Sequence, residues 1–185
     1  IKFWLPGRVA DAHAGIEVEP LPRERWERRE ATIVRAMDVF PPSLLQYIDT
    51  IYAVDRVYSN RVHVGGVATG DGIVFVGSSN RDGIMDTLVH EIGHEVWHRF
   101  GTATLRDRWR ATLPPSNPYL NVRGHVSIRE GLHSDDDYEY DEESFVSAYA
   151  TVNIDEDFAE TFEYLYDKPE WALAHVAEGT PIGDK

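Results

Sequence analysis

A helical repeat that carries two histidines dominates the middle of the chain. Over residues 83–100 apolar side chains recur every four positions, as they do on the buried face of an α-helix, at Ile84, Leu88, Ile92 and Val96. Asn80 or Asp82 can cap the start of this helix, and Gly101 suits a left-handed stop. The pattern therefore predicts one amphipathic helix that lies against a core.

The polar face of that predicted helix contains the residues of a metal site. Segment 90–94 reads His-Glu-Ile-Gly-His, a pattern known from zinc enzymes. Histidines four residues apart lie about 6 Å apart along the axis and on one face. Both rings can reach one zinc ion at roughly 2.0–2.1 Å. We expect His90 and His94 to bind zinc, and Glu91 to act as a general base toward water that the metal activates; the alternative is a chance match.

A third ligand must come from outside this helix. His98 continues the four-residue series, but it lies about 12 Å from His90 along the axis, too far to share one ion. A histidine six residues after His94 would suit another zinc pattern, but that position is Phe100. The chain has no cysteine, so a carboxylate or a distant histidine has to complete the site.

An acidic stripe in the last third of the chain offers such a carboxylate. Residues 155–166 show helical periodicity, and Glu156, Glu160 and Glu163 share one face at i, i+4 and i+7. Such a stripe is usually just a solvated face, but here a zinc helix needs a carboxylate ligand. The spacing alone leaves both Glu156 and Glu160 open as the third ligand.

Two motifs together resemble one family of zinc peptidases. Residues 88–94 read Leu-Val-His-Glu-Ile-Gly-His, Ser-Ala-Tyr occupies 147–149, and Glu-Asp-Phe-Ala-Glu occupies 156–160. In this combination the sequence resembles the family of the anthrax lethal factor catalytic domain, which includes the secreted Pro-Pro endopeptidases. The resemblance covers about residues 73–166. It departs from the family in extra sequence around 113–143 and in the last 20 residues, so it leaves substrate choice open.

The resemblance implies roles for three residues beyond the metal helix. Glu156, seven residues after Tyr149, would be the third zinc ligand. Glu160 would be a carboxylate behind the ligands that orients a histidine ring. Tyr149 would donate a hydrogen bond to the developing oxyanion. A secreted enzyme is also implied, and cleavage next to proline remains open.

The first half of the chain predicts a small sheet. Residues 50–58 are rich in β-branched and aromatic types, and a short apolar run lies between glycines at 73–76. In zincin-type folds the strand before the active helix is a sheet edge, to which an extended peptide can add as a further strand. We therefore expect substrate to pair with Ile73, Val74, Phe75 and Val76, although a paired, covered strand is the alternative.

Helices fill the rest of the predicted architecture. Periodicity and breakers indicate helices at 21–38, 104–111, 155–166 and 170–178, with a short turn of helix at 43–47. Strands that precede helices, with one small sheet, favour an α+β fold. We predict a single zincin-like domain over 1–185, with a small mixed sheet, a metal helix and a helical C-terminal half.

Composition restricts the partners of the chain. The net charge is −14 over 185 residues, without a basic stripe, which argues against nucleic acid and anionic membranes. No apolar run reaches the roughly 20 residues of a membrane span. The acidic stretch 134–143 lacks the spacing of a calcium loop and indicates a surface loop. Oligomeric state is open.

The sequence therefore predicts a zinc-dependent endopeptidase that holds one zinc ion per chain and acts on a peptide or protein. A catalytically silent binding module, with zinc as a structural staple, is the rival of another class. An intact Glu91 speaks against it, because a structural site needs no base. An intracellular zinc peptidase is the third reading.

Overall fold

The computed structural model of the chain describes residues 2–4, 15–77, 83–116, 118–121 and 139–185. The chain divides into two compact units, Ile1–Val96 and Trp97–Lys185, and the boundary falls within one helix. The predicted caps Asn80 and Asp82, and the acidic positions 134–138, lie outside the described residues. The single-domain assignment stays a prediction.

Short strands form two sheets in the first unit. In chain order they are β1 (Lys2–Trp4), β2 (Ile16–Glu19), β3 (Thr50–Ala53), β4 (Arg56–Ser59), β5 (Val62–Val64), β6 (Gly66–Ala68) and β7 (Ile73–Val76). One sheet has the order β1-β3-β7-β6 and is mixed, since β1, β3 and β7 run parallel and β6 runs antiparallel to β7. The other, β2-β4-β5, is antiparallel.

The predicted strand at 50–58 is two strands in different sheets. The backbone changes partner between β3 and β4: Val54 N–H donates to Val76 O at 3.0 Å, and Asp55 N–H donates to Glu19 O at 2.9 Å. The prediction of one uninterrupted strand was wrong, because β propensity reports how well a residue fits a sheet and does not identify the strand with which it pairs.

The predicted edge position of Ile73, Val74, Phe75 and Val76 is also wrong. Strand β7 pairs with β3 on one side and with β6 on the other, so its backbone is already engaged in the sheet. Its uninterrupted apolar run agrees with this interior position, because strands covered on both faces are apolar throughout. Among the described strands, β6 forms this edge of the mixed sheet.

Three helices complete the described part of the first unit. They are α1 (Trp26–Met37), α2 (Pro42–Leu45) and α3 (Ile84–Phe100), whose last residues enter the second unit. The helical prediction for 83–100 is confirmed, with Leu88 and Ile92 fully buried. Gly101 follows α3 without the predicted left-handed φ; a Cβ there would lie 2.4 Å from Trp97 O.

The described part of the second unit is helical. Its helices are α4 (Ala103–Ala111), α5 (Ile154–Asp167), α6 (Pro169–Glu178) and α7 (Pro181–Asp184). Asn153 caps α5 by accepting hydrogen bonds from the N–H groups of Asp155 and Glu156 at 2.8 and 3.0 Å. The α+β class and the helical C-terminal half are confirmed. No described helix is long and apolar enough to cross a membrane.

A buried ion pair anchors α5 in the second unit. Both side chains of the Asp157–Lys185 pair are fully buried, and Lys185 Nζ lies 2.7 Å from Asp157 Oδ2. Trp109 Nε1–H and Tyr119 O–H also donate to Asp157 Oδ2, at 2.8 and 2.6 Å. Burial raises the pKa of the Asp157 carboxyl and lowers that of the Lys185 ammonium, while the attraction between the two charges opposes both shifts.

We expect Asp157→Asn to destabilise the protein by about 3–5 kcal/mol, because it leaves the Lys185 ammonium buried without its counter-charge. Asp107→Asn is the matched control, since the Asp107–Arg110 pair is exposed and such pairs contribute about 0–1 kcal/mol. Urea unfolding of both variants measures the difference. Equal free energies of unfolding for the two variants would show that the buried pair does not anchor α5.

Candidate metal centre

Two histidine rings converge on one side of α3. His90 and His94 are separated by one helical turn, and their Nε2 atoms lie 3.1 Å apart. The ring centroids are 4.8 Å apart with planes at 80°. A tetrahedral zinc ion with bonds of roughly 2.0–2.1 Å separates its ligand atoms by about 3.3 Å. The two nitrogens therefore have the separation expected of ligands that share one metal ion.

A carboxylate from α5 joins the two rings. One donor atom from each of His90, His94 and Glu156 lies within 4.8 Å of the other two. Glu156 is buried and lies in the first turn of α5, three residues after the Asn153 cap. A buried carboxylate normally needs a cation or hydrogen-bond donors close to it. This group of two imidazoles and one carboxylate could hold a metal ion.

A second acidic group shares one of these histidines. Donor atoms of His90, Glu160 and Glu163 also lie within 4.8 Å of one another, and both glutamates are half-buried. Ser147 Oγ donates to Glu160 Oε2 at 2.6 Å. Because His90 belongs to both groups, they are overlapping alternatives at one ring. The assignment of Glu160 as an orienting carboxylate stays a prediction.

Glu91, the proposed base, lies on α3 with the two histidines, and the residue of β6 next to it is a glycine. Glu91 is buried, one residue after His90. A Cβ built at Gly66, the first residue of β6, would lie 2.6 Å from Glu91 Cγ and 2.8 Å from Glu91 Oε1. Any side chain at Gly66 would have to displace Glu91, so the glycine permits this close approach. The sequence analysis did not anticipate this close approach at Gly66.

Tyr149 begins a 3₁₀ turn, Tyr149–Thr151, that leads into α5. Its side chain is half-buried, and Ala150 and Thr151 beside it are buried. The turn ends at Thr151, shortly before the Asn153 cap of the helix that carries Glu156. The role of Tyr149 as a donor to an oxyanion stays a prediction.

Sequence reasoning also missed Glu95. This residue follows His94 and is buried, although a glutamate on a helix is normally solvated. It lies four residues after Glu91, so both carboxylates share one face of α3. That spacing was the available signal, but a pair of acidic residues at i and i+4 does not reveal what faces it.

We expect one zinc ion to bind per chain, and Glu156→Ala to empty the site nearly completely, because a direct ligand is lost. Glu160→Ala is the matched comparison, since loss of a carboxylate behind a ligand costs about 10–100-fold in affinity. Competition with a chromogenic chelator measures both affinities. Loss of zinc from Glu160→Ala, with retention in Glu156→Ala, would reverse the two assignments.

Comparisons with known protein families, curated proteins and solved structures found no match for this chain.

Proposed function

We propose that the chain is a zinc-dependent endopeptidase with its active site at His90, His94 and Glu156. One observation carries the proposal: a buried glutamate, Glu91, lies on the same helix as two histidines whose donor atoms converge with that of Glu156. A metal site that only stabilises a fold needs ligands but no buried acid beside them. The arrangement therefore favours a catalyst over a silent binding module.

The donor chemistry supports zinc as the metal. Two imidazoles and one carboxylate form a ligand set typical of catalytic zinc, which leaves one coordination position open. Zinc held by His90, His94 and Glu156 would supply Lewis-acid chemistry, since a bound zinc ion polarises a carbonyl group and makes a water molecule more acidic. The group of His90 with Glu160 and Glu163 has more oxygen donors and is more exposed, so it suits zinc less well.

Glu91 moves the proton in the proposed reaction. Its carboxylate takes a proton from the attacking water and then returns it to the amine that leaves when the peptide bond breaks. Burial restricts the rotamers of the Glu91 side chain, so the base is held in place before the substrate binds. Tyr149 donates a hydrogen bond to the oxygen of the scissile carbonyl as negative charge develops there.

Strand β6 is the proposed place for the substrate backbone. It forms an edge of the mixed sheet as described, and its first residue contacts Glu91. An extended peptide that pairs with β6 places a carbonyl near the base without requiring a particular side chain. Cleavage next to proline and secretion of the enzyme follow only from the family resemblance, and we retain both as proposals. Digestion of an unbiased peptide library, with and without a chelator, tests activity and cleavage preference together.

We expect Glu91→Gln to reduce hydrolysis by about 10²–10⁴-fold with zinc still bound, because the amide cannot accept the proton. Turnover of the best library peptide and zinc content of the same sample are the two measurements. Glu27→Gln is the matched control, because Glu27 is exposed on α1 and away from the ligands in sequence. Near-normal turnover by folded, zinc-loaded Glu91→Gln would assign the base to another residue.

We expect Tyr149→Phe to lower kcat far more than it raises KM, because the hydroxyl acts mainly in the transition state. Steady-state kinetics on the same peptide separates the two constants. A change in KM alone would make Tyr149 a residue of the binding pocket.

A further inference from the structure

The carboxylate of Glu95 holds the turn between β6 and β7. Its Oε1 accepts a hydrogen bond from Gly70 N–H at 2.7 Å, and its Oε2 accepts one from Gly72 N–H at 2.9 Å. The side chain is only 4% exposed. Hydrogen bonds to a buried charged acceptor are stronger than those between neutral groups, so both contacts hold the turn firmly.

The turn is restricted on its other side as well. Gly72 O accepts hydrogen bonds from Asp49 N–H and Thr50 N–H at 2.8 and 3.2 Å, which attach the turn to the start of β3. Gly70 and Gly72 have φ of +84° and +92°, a region that favours glycine. The turn is thus held on both sides: the Gly72 carbonyl bonds to the start of β3, and the Gly70 and Gly72 N–H groups bond to α3.

The other end of β6 also touches α3. Gly66 lies against Glu91, and the turn after β6 lies against Glu95, one helical turn further along. Residues four apart on a helix are separated by about 6 Å along the axis and share a face. The β6–β7 hairpin therefore contacts the helix at two points on one face, beside the face that carries His90 and His94.

Only a carboxylate supplies what this turn requires. Two N–H groups point at two separate oxygens, so both side-chain atoms must accept hydrogen bonds. A glutamine has one acceptor and one donor, and its NH₂ group would face one of the N–H groups. Replacement by glutamine therefore removes one hydrogen bond and adds a repulsive contact, with almost no change in volume.

We propose that Glu95 is a positioning residue that fixes β6 relative to the metal-binding face of α3. By fixing β6, Glu95 sets the position of a peptide that pairs with this strand. The position of the peptide in turn sets the distance between the scissile carbonyl and Glu91. The inference rests on the proposed peptidase function for its catalytic consequence. Its structural part, the attachment of the turn to α3, can be measured without any substrate.

The experiment compares Glu95→Gln and Glu95→Asp with wild type and with Glu27→Gln as the matched control. Four quantities are measured on the full chain: kcat, KM, zinc affinity by chelator competition, and hydrogen exchange of the Gly70 and Gly72 amides. All are recorded below the thermal midpoint of each variant, so that only folded protein contributes. Glu95→Asp keeps two acceptors on a shorter side chain, and it decides the matter if Glu95→Gln does not fold.

We expect Glu95→Gln to exchange faster at Gly70 and Gly72 and to bind zinc as wild type does. We expect its kcat to fall by about 100-fold with little change in KM, because a displacement of about 1 Å at a reacting centre costs that much. Glu95→Asp should lose less in kcat, and Glu27→Gln should match wild type. A residue that only stabilised the fold would lower the thermal midpoint and leave kcat of the folded protein unchanged.

Three results would overturn the proposal: wild-type kcat in a folded, zinc-loaded Glu95 variant, unchanged exchange at both glycines, or loss of zinc from the variants. Loss of zinc would mean that Glu95 acts on the metal ligands. Failure of the proposed function is a separate result, in which wild type itself cleaves no library peptide. The catalytic consequence is then wrong, and the exchange rates alone decide whether Glu95 holds the turn.

Discussion

Helix α3 presents three faces to three different surroundings, and on each face a pair of residues four positions apart makes the contacts. Each pair of residues one turn apart serves a different purpose: Leu88 and Ile92 pack in the core, His90 and His94 face each other, and Glu91 and Glu95 face the β6–β7 hairpin. A rotation of the helix by one residue, about 100°, would move all three pairs out of place together. The core contacts of α3 therefore position His90 and His94 as well.

The close approach of β6 to α3 costs free energy, because it buries acidic side chains of the helix. Carboxylates at Glu91 and Glu95 are both buried, which removes them from water. For Glu95 two backbone N–H groups replace that water. At the other end of the strand, a side chain at Gly66 would have to displace the Glu91 side chain, so the glycine leaves that carboxylate where it is. Glycine in a strand often marks such a close approach, although it has no side chain to pack in the strand itself.

Local periodicity was sufficient to predict α3, the pairing of His90 with His94 and the α+β class, because these depend on residues close in sequence. Sheet order was not predictable in that way. The apolar run of β7 indicated burial, but nothing within it showed that β6 would occupy its second edge. The role of Glu95 was not predicted for the same reason, because its partners Gly70 and Gly72 are more than 20 residues away in the sequence. The acidic stripe on α5 offered both Glu156 and Glu160 as partners of the histidines, and only the spacing of the family that the sequence resembles favoured Glu156.

Two neighbouring acids on α5 show how contacts at one residue of a helix restrict the direction of the next. Consecutive helical residues point about 100° apart, so Glu156 and Asp157 face different surroundings. The Asp157 carboxylate is occupied by donors of its own unit, from Trp109, Tyr119 and Lys185. Its charge is thus satisfied without any metal. Because these bonds restrict rotation of α5 about its axis, they also restrict the direction of Glu156. A carboxylate whose direction is set by contacts elsewhere on its helix would lose less conformational entropy on binding an ion.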